Sequence, residues 1–235
     1  MIDITLTRTN DENAAVKTFW FKPSQPLRYT AGQFIELYLP HDHPDDRGQK
    51  RWFTLSSSPT EEEISITTKF ASDAGSTFKR ALSSLKPGAT LRAIEPMGDF
   101  VLTKDATEPL VFIAGGLGVT PYHSIIKWLS DTHEKRSIEI ILAFNKLEDM
   151  LFENLFRSYT KNVTVVLTDP PTGWVGETGH LSGERILQFI DGASDKRLYI
   201  SGPEPMVETL ETDLIAAGIS RDKMVFDYFP GYKPI

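Results

Sequence analysis

The stretch FIAGGLGVTPYHSII, residues 112–126, decides how this chain is read. An apolar run ends in three glycines, and Thr120 and Pro121 then open what has the spacing of a helix. Glycine lets backbone N–H groups come close to an anion, and Thr followed by Pro suits an N-cap and a first helical turn. The amino end of such a helix faces negative charge favourably. A strand-to-helix corner without any ligand would use the same residues, and Pro121 stands where the third glycine of G-x-G-x-x-G would be. This stretch alone leaves both readings open.

Working outward, the second half alternates buried strands with helices. PLVFIAG, IEIILAF, VTVVLT, RLYIS and KMVFDYF read as strands, with helices near 121–130, 148–159, 182–190 and 204–217. Apolar strand runs divided by helical segments predict a parallel sheet covered on both faces. RLYISGPEPMVETL repeats the opening device, because Ser201-Gly202-Pro203 ends a buried run and a helix follows. Two glycine turns at carboxyl ends of one sheet favour a ligand lying across it.

The first half has a different grammar. IDITLTR, VKTFWFKP, GQFIELYLP, RWFTLSS, EISITTKF and TLRAIEP are short, alternating or β-branched, and separated by turn residues. They predict a small antiparallel barrel, interrupted by one helix over 76–85 whose apolar face carries Phe78, Ala81, Leu82 and Leu85. The change of pattern falls between Thr103 and Pro109, giving domains 1–104 and 105–235.

With 235 residues there is room for two modest cores, and the absence of cysteine excludes disulfides, thiolate metal sites and cysteine nucleophiles. Residues 1–104 carry 13 basic and 13 acidic side chains, and residues 105–235 carry 12 and 19. An acidic second half gives no basic footprint for nucleic acid. No stretch is apolar enough for a membrane span, and MIDITLTRTN has no export-signal pattern, so a cytoplasmic address is expected. The polar loop HDHPDD, with His41, Asp42, His43, Asp45 and Asp46, reads as solvated, and no metal site is expected.

The ordered set RWFTLSSSP, DAGSTFKRAL, PMGDF, GGLGVTP, SGPEPM and FPGY resembles the ferredoxin–NAD(P)+ reductase family over nearly the whole chain. The resemblance implies a flavin-binding barrel followed by a Rossmann-like nucleotide-binding domain. FAD would be the cofactor and NADH or NADPH the electron donor. Arg51 would reach the flavin phosphate, Trp52 and Phe53 would lie along the flavin site, and Thr54 would sit near N5, the atom that accepts hydride. Thr67 and Lys69 complete that side, and Gly75, Ser76 and Thr77 would hold the pyrophosphate, which favours FAD over FMN. Phe53 departs from the family's usual tyrosine.

In the second domain the resemblance makes Gly115, Gly116, Gly118, Val119, Thr120 and Pro121 the nucleotide-pyrophosphate loop. Ser201, Gly202 and Pro203 would lie near the nicotinamide, Ser201 replacing a frequent cysteine, so that Thr54 and Ser201 become the catalytic candidates. Phe229 or Tyr232 would shield the flavin ring. Apart from the resemblance, His123 and His180 read as local structural histidines, with contact to nucleotide phosphate as the alternative. Lys146, followed by Glu148 and Asp149, leaves the choice between NADH and NADPH open. The implied activity passes electrons to a separate acceptor: ferredoxin, flavodoxin, an oxygenase component or free flavin. An electron-transfer subunit of a larger complex, or a nucleotide-binding regulatory module without turnover, are the alternatives.

Overall fold

The structure, a computed structural model, describes residues 1–70 and 75–229. The chain divides into two compact units, Met1–Val101 and Leu102–Ile235.

The first unit is a six-stranded antiparallel sheet of β1 (Ile2–Asp11), β2 (Val16–Pro23), β3 (Phe34–Tyr38), β4 (Lys50–Thr54), β5 (Ile64–Lys69) and β6 (Thr90–Ala93), ordered β4-β3-β6-β1-β2-β5. The two ends meet: Leu55, just after β4, bridges Ile66 of β5, and Ser56 N–H donates to Ser65 O at 2.8 Å. The sheet thereby closes into the expected barrel and loses its exposed edges. Alternation explains the core, since Ile2, Ile4 and Leu6 of β1 point inward with Phe19, Phe21, Ile35, Leu37 and Ile66. Helix α1 (Thr77–Ser84) joins that core through Phe78 and Leu82, both fully buried. Strand β5 is buried on both faces, so Ser65, Thr67 and Thr68 are covered as well as Ile64 and Ile66.

The second unit is a six-stranded parallel sheet of β7 (Leu110–Gly115), β8 (Ile138–Phe144), β9 (Val163–Leu167), β10 (Glu177–Thr178), β11 (Arg197–Pro203) and β12 (Met224–Phe229), ordered β10-β9-β8-β7-β11-β12. Its helices are α2 (Val119–Asp131), α3 (Glu153–Tyr159), α4 (Gly183–Phe189) and α5 (Glu204–Ala216). The chain starts at β7, runs outward to β10, then returns to β7's other side and continues through β11 to β12. The order therefore reverses between β7 and β11, where an open α/β sheet leaves a crevice beyond its carboxyl ends. The two-residue β10 is too short to carry a strand pattern in the sequence.

Helix α2 is fixed at this switch by close packing. Tyr122 is fully buried, its hydroxyl 3.0 Å from the Ile113 carbonyl of β7 and 2.8 Å from the Tyr199 carbonyl of β11, and its ring stacks on Phe112 at 4.6 Å. A Cβ added to Gly118 would lie 2.1 Å from the Ser201 carbonyl oxygen, so only glycine lets the helix start approach β11 this closely. Gly118→Ala should destabilise the second unit by about 3 kcal/mol, the upper part of the range for overpacking. A thermal or urea melt checks this, and an unchanged midpoint would show that the backbone contact carries no weight.

Candidate functional site

In the second unit the residues singled out by the sequence converge at the switch point. Ser201 of β11 pairs with Ala114 of β7, which brings Gly115–Gly118 and Ser201–Pro203 side by side. Gly116–Gly118 forms one short 3-10 turn, with Gly116 at φ +52°, and α2 starts at Val119. The expected N-cap is corrected here: Thr120 lies inside the helix and donates its hydroxyl to the Leu117 carbonyl at 2.9 Å. Pro121 occupies the first turn, where its missing N–H removes nothing. Val119, Thr120 and Pro121 are buried, so at this helix start it is backbone, with little side chain, that remains for a ligand. His123 packs its ring on Phe152 at 4.1 Å.

Ser201 is fully buried and its hydroxyl donates to Asp227 Oδ2 at 3.3 Å. Asp227 lies opposite Ser201 in the β11–β12 register, and burial pushes its carboxyl up to about 7 against the lowering effect of the Ser201 bond. No local motif marks Asp227; it reaches the site through the parallel pairing of β12. Gly202 and Pro203 are buried beside Gly115, and Phe229 ends β12 opposite Pro203. Tyr232 lies outside the described residues.

At the carboxyl end of β8, Asp149 accepts the Lys146 N–H at 3.2 Å, and Lys146 Nζ lies 3.9 Å from Asp169. The one cation in this short turn is thus matched to a carboxylate, with Glu148 exposed beside it.

In the first unit, Arg51 of β4 is mostly buried and its guanidinium is packed with partners. Nη1 donates to the carbonyls of Arg47, Gly48 and Lys50, while Nη2 donates to Asp45 Oδ1 at 2.7 Å and to Ser76 Oγ at 3.0 Å. Its Nε is buried with no hydrogen-bond partner among the described residues. The guanidinium also stands 5.4 Å from the Phe78 ring centroid. Ser76 is the residue before α1, yet its hydroxyl makes no capping bond. The cap comes from a distance: Asp45 Oδ2 accepts the Thr77 N–H at 3.1 Å, and Asp45 N–H donates to Thr77 Oγ1 at 2.9 Å. His41 Nε2 is 3.0 Å from the same Thr77 oxygen. The loop expected to be merely solvated is therefore tied to the helix start. Burial would raise the Asp45 carboxyl, but hydrogen bonds from Arg47 and Thr77, with the charge of Arg51, hold it well below the usual carboxylate range.

The remaining candidates divide by exposure. Phe53 is a member of the barrel core, 5.8 Å from Phe78, whereas Trp52 is 67% exposed and rests against Phe34. Thr54 is buried opposite Phe34, and Gly75 accepts a bond from Arg80. Thr67 belongs to a buried hydroxyl chain in which Ser56 donates to Thr67, Thr67 meets Thr18 at 2.9 Å, and Thr18 donates to Glu12 at 2.6 Å. Lys69 is exposed and its carbonyl accepts from Lys79. Among the described residues no cluster of ligating side chains could hold a metal, and no helix is long and apolar enough to cross a membrane.

The raised carboxyl of Asp227 has a consequence for pH. The folded state binds this proton more tightly than the unfolded chain, whose value is about 3.9, so the contribution to stability is full below pH 4 and is lost as pH rises to about 7. Asp227→Asn should flatten that part of the stability curve. Melting temperatures taken from pH 4 to 8 test it, and parallel curves for the two proteins would count against the assignment.

A family model for the oxidoreductase NAD-binding domain matches residues 112–212. Flavohemoprotein B of Dictyostelium discoideum is 25% identical over 259 residues, covering 99% of this chain and 60% of that protein. The chain spans roughly half to two thirds of the length of the curated relatives it matches. Among solved structures, the flavohem-like FAD/NAD-binding domain of nitric oxide dioxygenase from Vibrio cholerae is similar at a TM-score of 0.83 with 21% identity, over 97% of this chain and 98% of that one. A ferredoxin NADP+ reductase from Neisseria gonorrhoeae, with bound FAD and NADP, is similar at a TM-score of 0.79 with 16% identity, over 98% of each chain. The chain thus has the fold of these two-domain FAD/NAD-binding structures, and its residues 112–212 match the oxidoreductase NAD-binding domain.

Proposed function

We propose that this protein is an FAD-dependent oxidoreductase that takes hydride from a reduced nicotinamide nucleotide and delivers electrons to a separate acceptor. Residues 1–104 would form the flavin domain and 105–235 the nucleotide domain. The observation that carries the reading is the donor cluster of Arg51, Ser76 and the Thr77 N–H at the start of α1. It already holds one oxyanion, the Asp45 carboxylate, and the buried Nε of Arg51 has capacity for another acceptor. A diphosphate asks for the same chemistry: a guanidinium fork and free N–H groups at a helix start.

Bound FAD supplies an acceptor that takes two electrons together and releases them singly. The chain's own residues bind and orient. Arg51, Gly75, Ser76 and Thr77 would hold the diphosphate, Thr54, buried at the end of β4, would supply a hydroxyl near the ring, and Trp52, Phe53, Thr67 and Lys69 would belong to the walls of that site. In the second unit, Gly115–Pro121 presents backbone to the dinucleotide, and Ser201, Gly202 and Pro203 position the nicotinamide. The pair Ser201–Asp227 fixes the serine hydroxyl, and Phe229 or Tyr232 would shield the flavin ring. The acceptor would be a ferredoxin, a flavodoxin, an oxygenase component or free flavin.

The donor is NADH on this reading. A 2′-phosphate at the end of β8 would meet Glu148, Asp149 and Asp169, with Lys146 as the one cation of the 145–149 turn to oppose them, and Lys146 Nζ lies 3.9 Å from Asp169. An anaerobic visible spectrum tests both steps. The protein supplied with FAD should show a flavin spectrum that NADH bleaches, with kcat/KM for NADPH at least tenfold lower. Arg51→Ala should weaken FAD binding at least tenfold. A protein that stays colourless with FAD present would refute the oxidoreductase reading and leave a nucleotide-binding module.

A further inference from the structure

The segment from His41 to Gln49 crosses the start of α1, and its Asp45 is bound there in both directions. Four donors converge on the Asp45 carboxylate. Oδ1 takes Arg51 Nη2 at 2.7 Å and the Arg47 N–H at 3.1 Å, while Oδ2 takes Arg47 Nη2 at 3.0 Å and the Thr77 N–H at 3.1 Å. Two of these, from Arg51 and Thr77, belong to the cluster assigned to the diphosphate. A carboxylate and a phosphate use a guanidinium fork and a helix N–H in the same way, and two anions cannot share one seat without repulsion.

Resting on the FAD reading above, we propose that Asp45 is an internal competitor for the flavin diphosphate, so that FAD enters only as the 41–49 loop lifts its carboxylate from Arg51 and Thr77. The geometry favours exchange over coexistence. Asp45 takes Nη2 of Arg51 and leaves Nε, the other donor on the same edge, without a partner among the described residues, whereas a larger, doubly charged group can take both. Asp45 also substitutes for a missing local cap, since α1 has no acidic residue in its first turn and no side-chain cap of its own. The helix start is thus capped by the chain, a role the ligand would take over on binding. The loop is tied besides by His41 to Thr77, by Gln49 to the His41 carbonyl, by the Leu39 N–H to the Gln49 carbonyl and by Arg51 Nη1 to the Arg47 and Gly48 carbonyls, so lifting Asp45 rearranges the Arg51 contacts, while the six barrel strands lie outside the loop.

The test compares the wild type, Asp45→Asn and Asp46→Asn as apoproteins, titrated with FAD, inorganic pyrophosphate and riboflavin in a calorimeter. Asp45→Asn should bind FAD and pyrophosphate at least tenfold more tightly and riboflavin, which has no phosphate, with unchanged affinity. Asp46→Asn should match the wild type. A plain capping role predicts the opposite, with FAD bound equally or more weakly by Asp45→Asn, and that result overturns the proposal. So does an equal gain for riboflavin, which would mean a steric lid. Should Asp45→Asn fold poorly, stopped-flow capture of FAD by the wild type decides: the rate should level off at high FAD as loop lifting becomes limiting, and a linear rise overturns the proposal. If the wild type binds FAD in an Arg51-dependent way without a gain in Asp45→Asn, only the competition falls. If neither protein binds FAD, the FAD reading falls and takes the competition with it.

Discussion

The second unit depends on how closely one helix can approach one strand. The α-carbon of Gly118 rests against the Ser201 carbonyl, and the Tyr122 hydroxyl spans the carbonyls of Ile113 and Tyr199. These contacts press α2 onto the boundary between β7 and β11, the place where the strand order reverses. The same glycine that has a packing reason for being there also bares the backbone of the turn. Packing and the proposed ligand approach are therefore compatible explanations of the GGLG stretch.

In the first unit the corresponding constraint is electrostatic. A helix start carries free N–H groups and partial positive charge, and Arg51 adds a full charge beside it. Burying that combination without an anion would leave donors unsatisfied. Asp45, more than thirty residues away in sequence, meets the requirement and ties the 41–49 loop to α1. The seat thus shows its chemical preference through the chain's own carboxylate.

Much of this was legible beforehand. The strands and most helices of both halves follow hydrophobic periods that the structure reproduces, because each element buries one face or both and the period records which; the helix expected near 148–159 is shortened to Glu153–Tyr159, behind a 3-10 turn at Leu147–Asp149 and a left-handed Phe152. The clustering of GGLG with SGP at one crevice was legible from their repeated position at strand ends. Local grammar failed where the decisive contact is distant or where two caps compete. Thr120 has the residue type of an N-cap, but the short 3-10 turn at Gly116–Gly118 moved the helix start two residues earlier and turned its hydroxyl to Leu117. Asp227 reaches Ser201 only through β12 pairing, and Asp45 reaches Arg51 only through a loop crossing, so neither left a spacing to read.

The buried hydroxyl chain of the barrel has a direction. Ser56 donates to Thr67 and Thr18 donates to Glu12, which leaves Thr67 as the donor to Thr18, so every proton points toward the Glu12 carboxylate. Each hydroxyl's orientation is dictated by its neighbour, and the row behaves as one polarised wire whose sign is set by a charge near the surface. Neutralising Glu12 would remove the reason for that alignment. A single partly exposed carboxylate thereby governs the polarity of oxygens deep in the wall between β2 and β5.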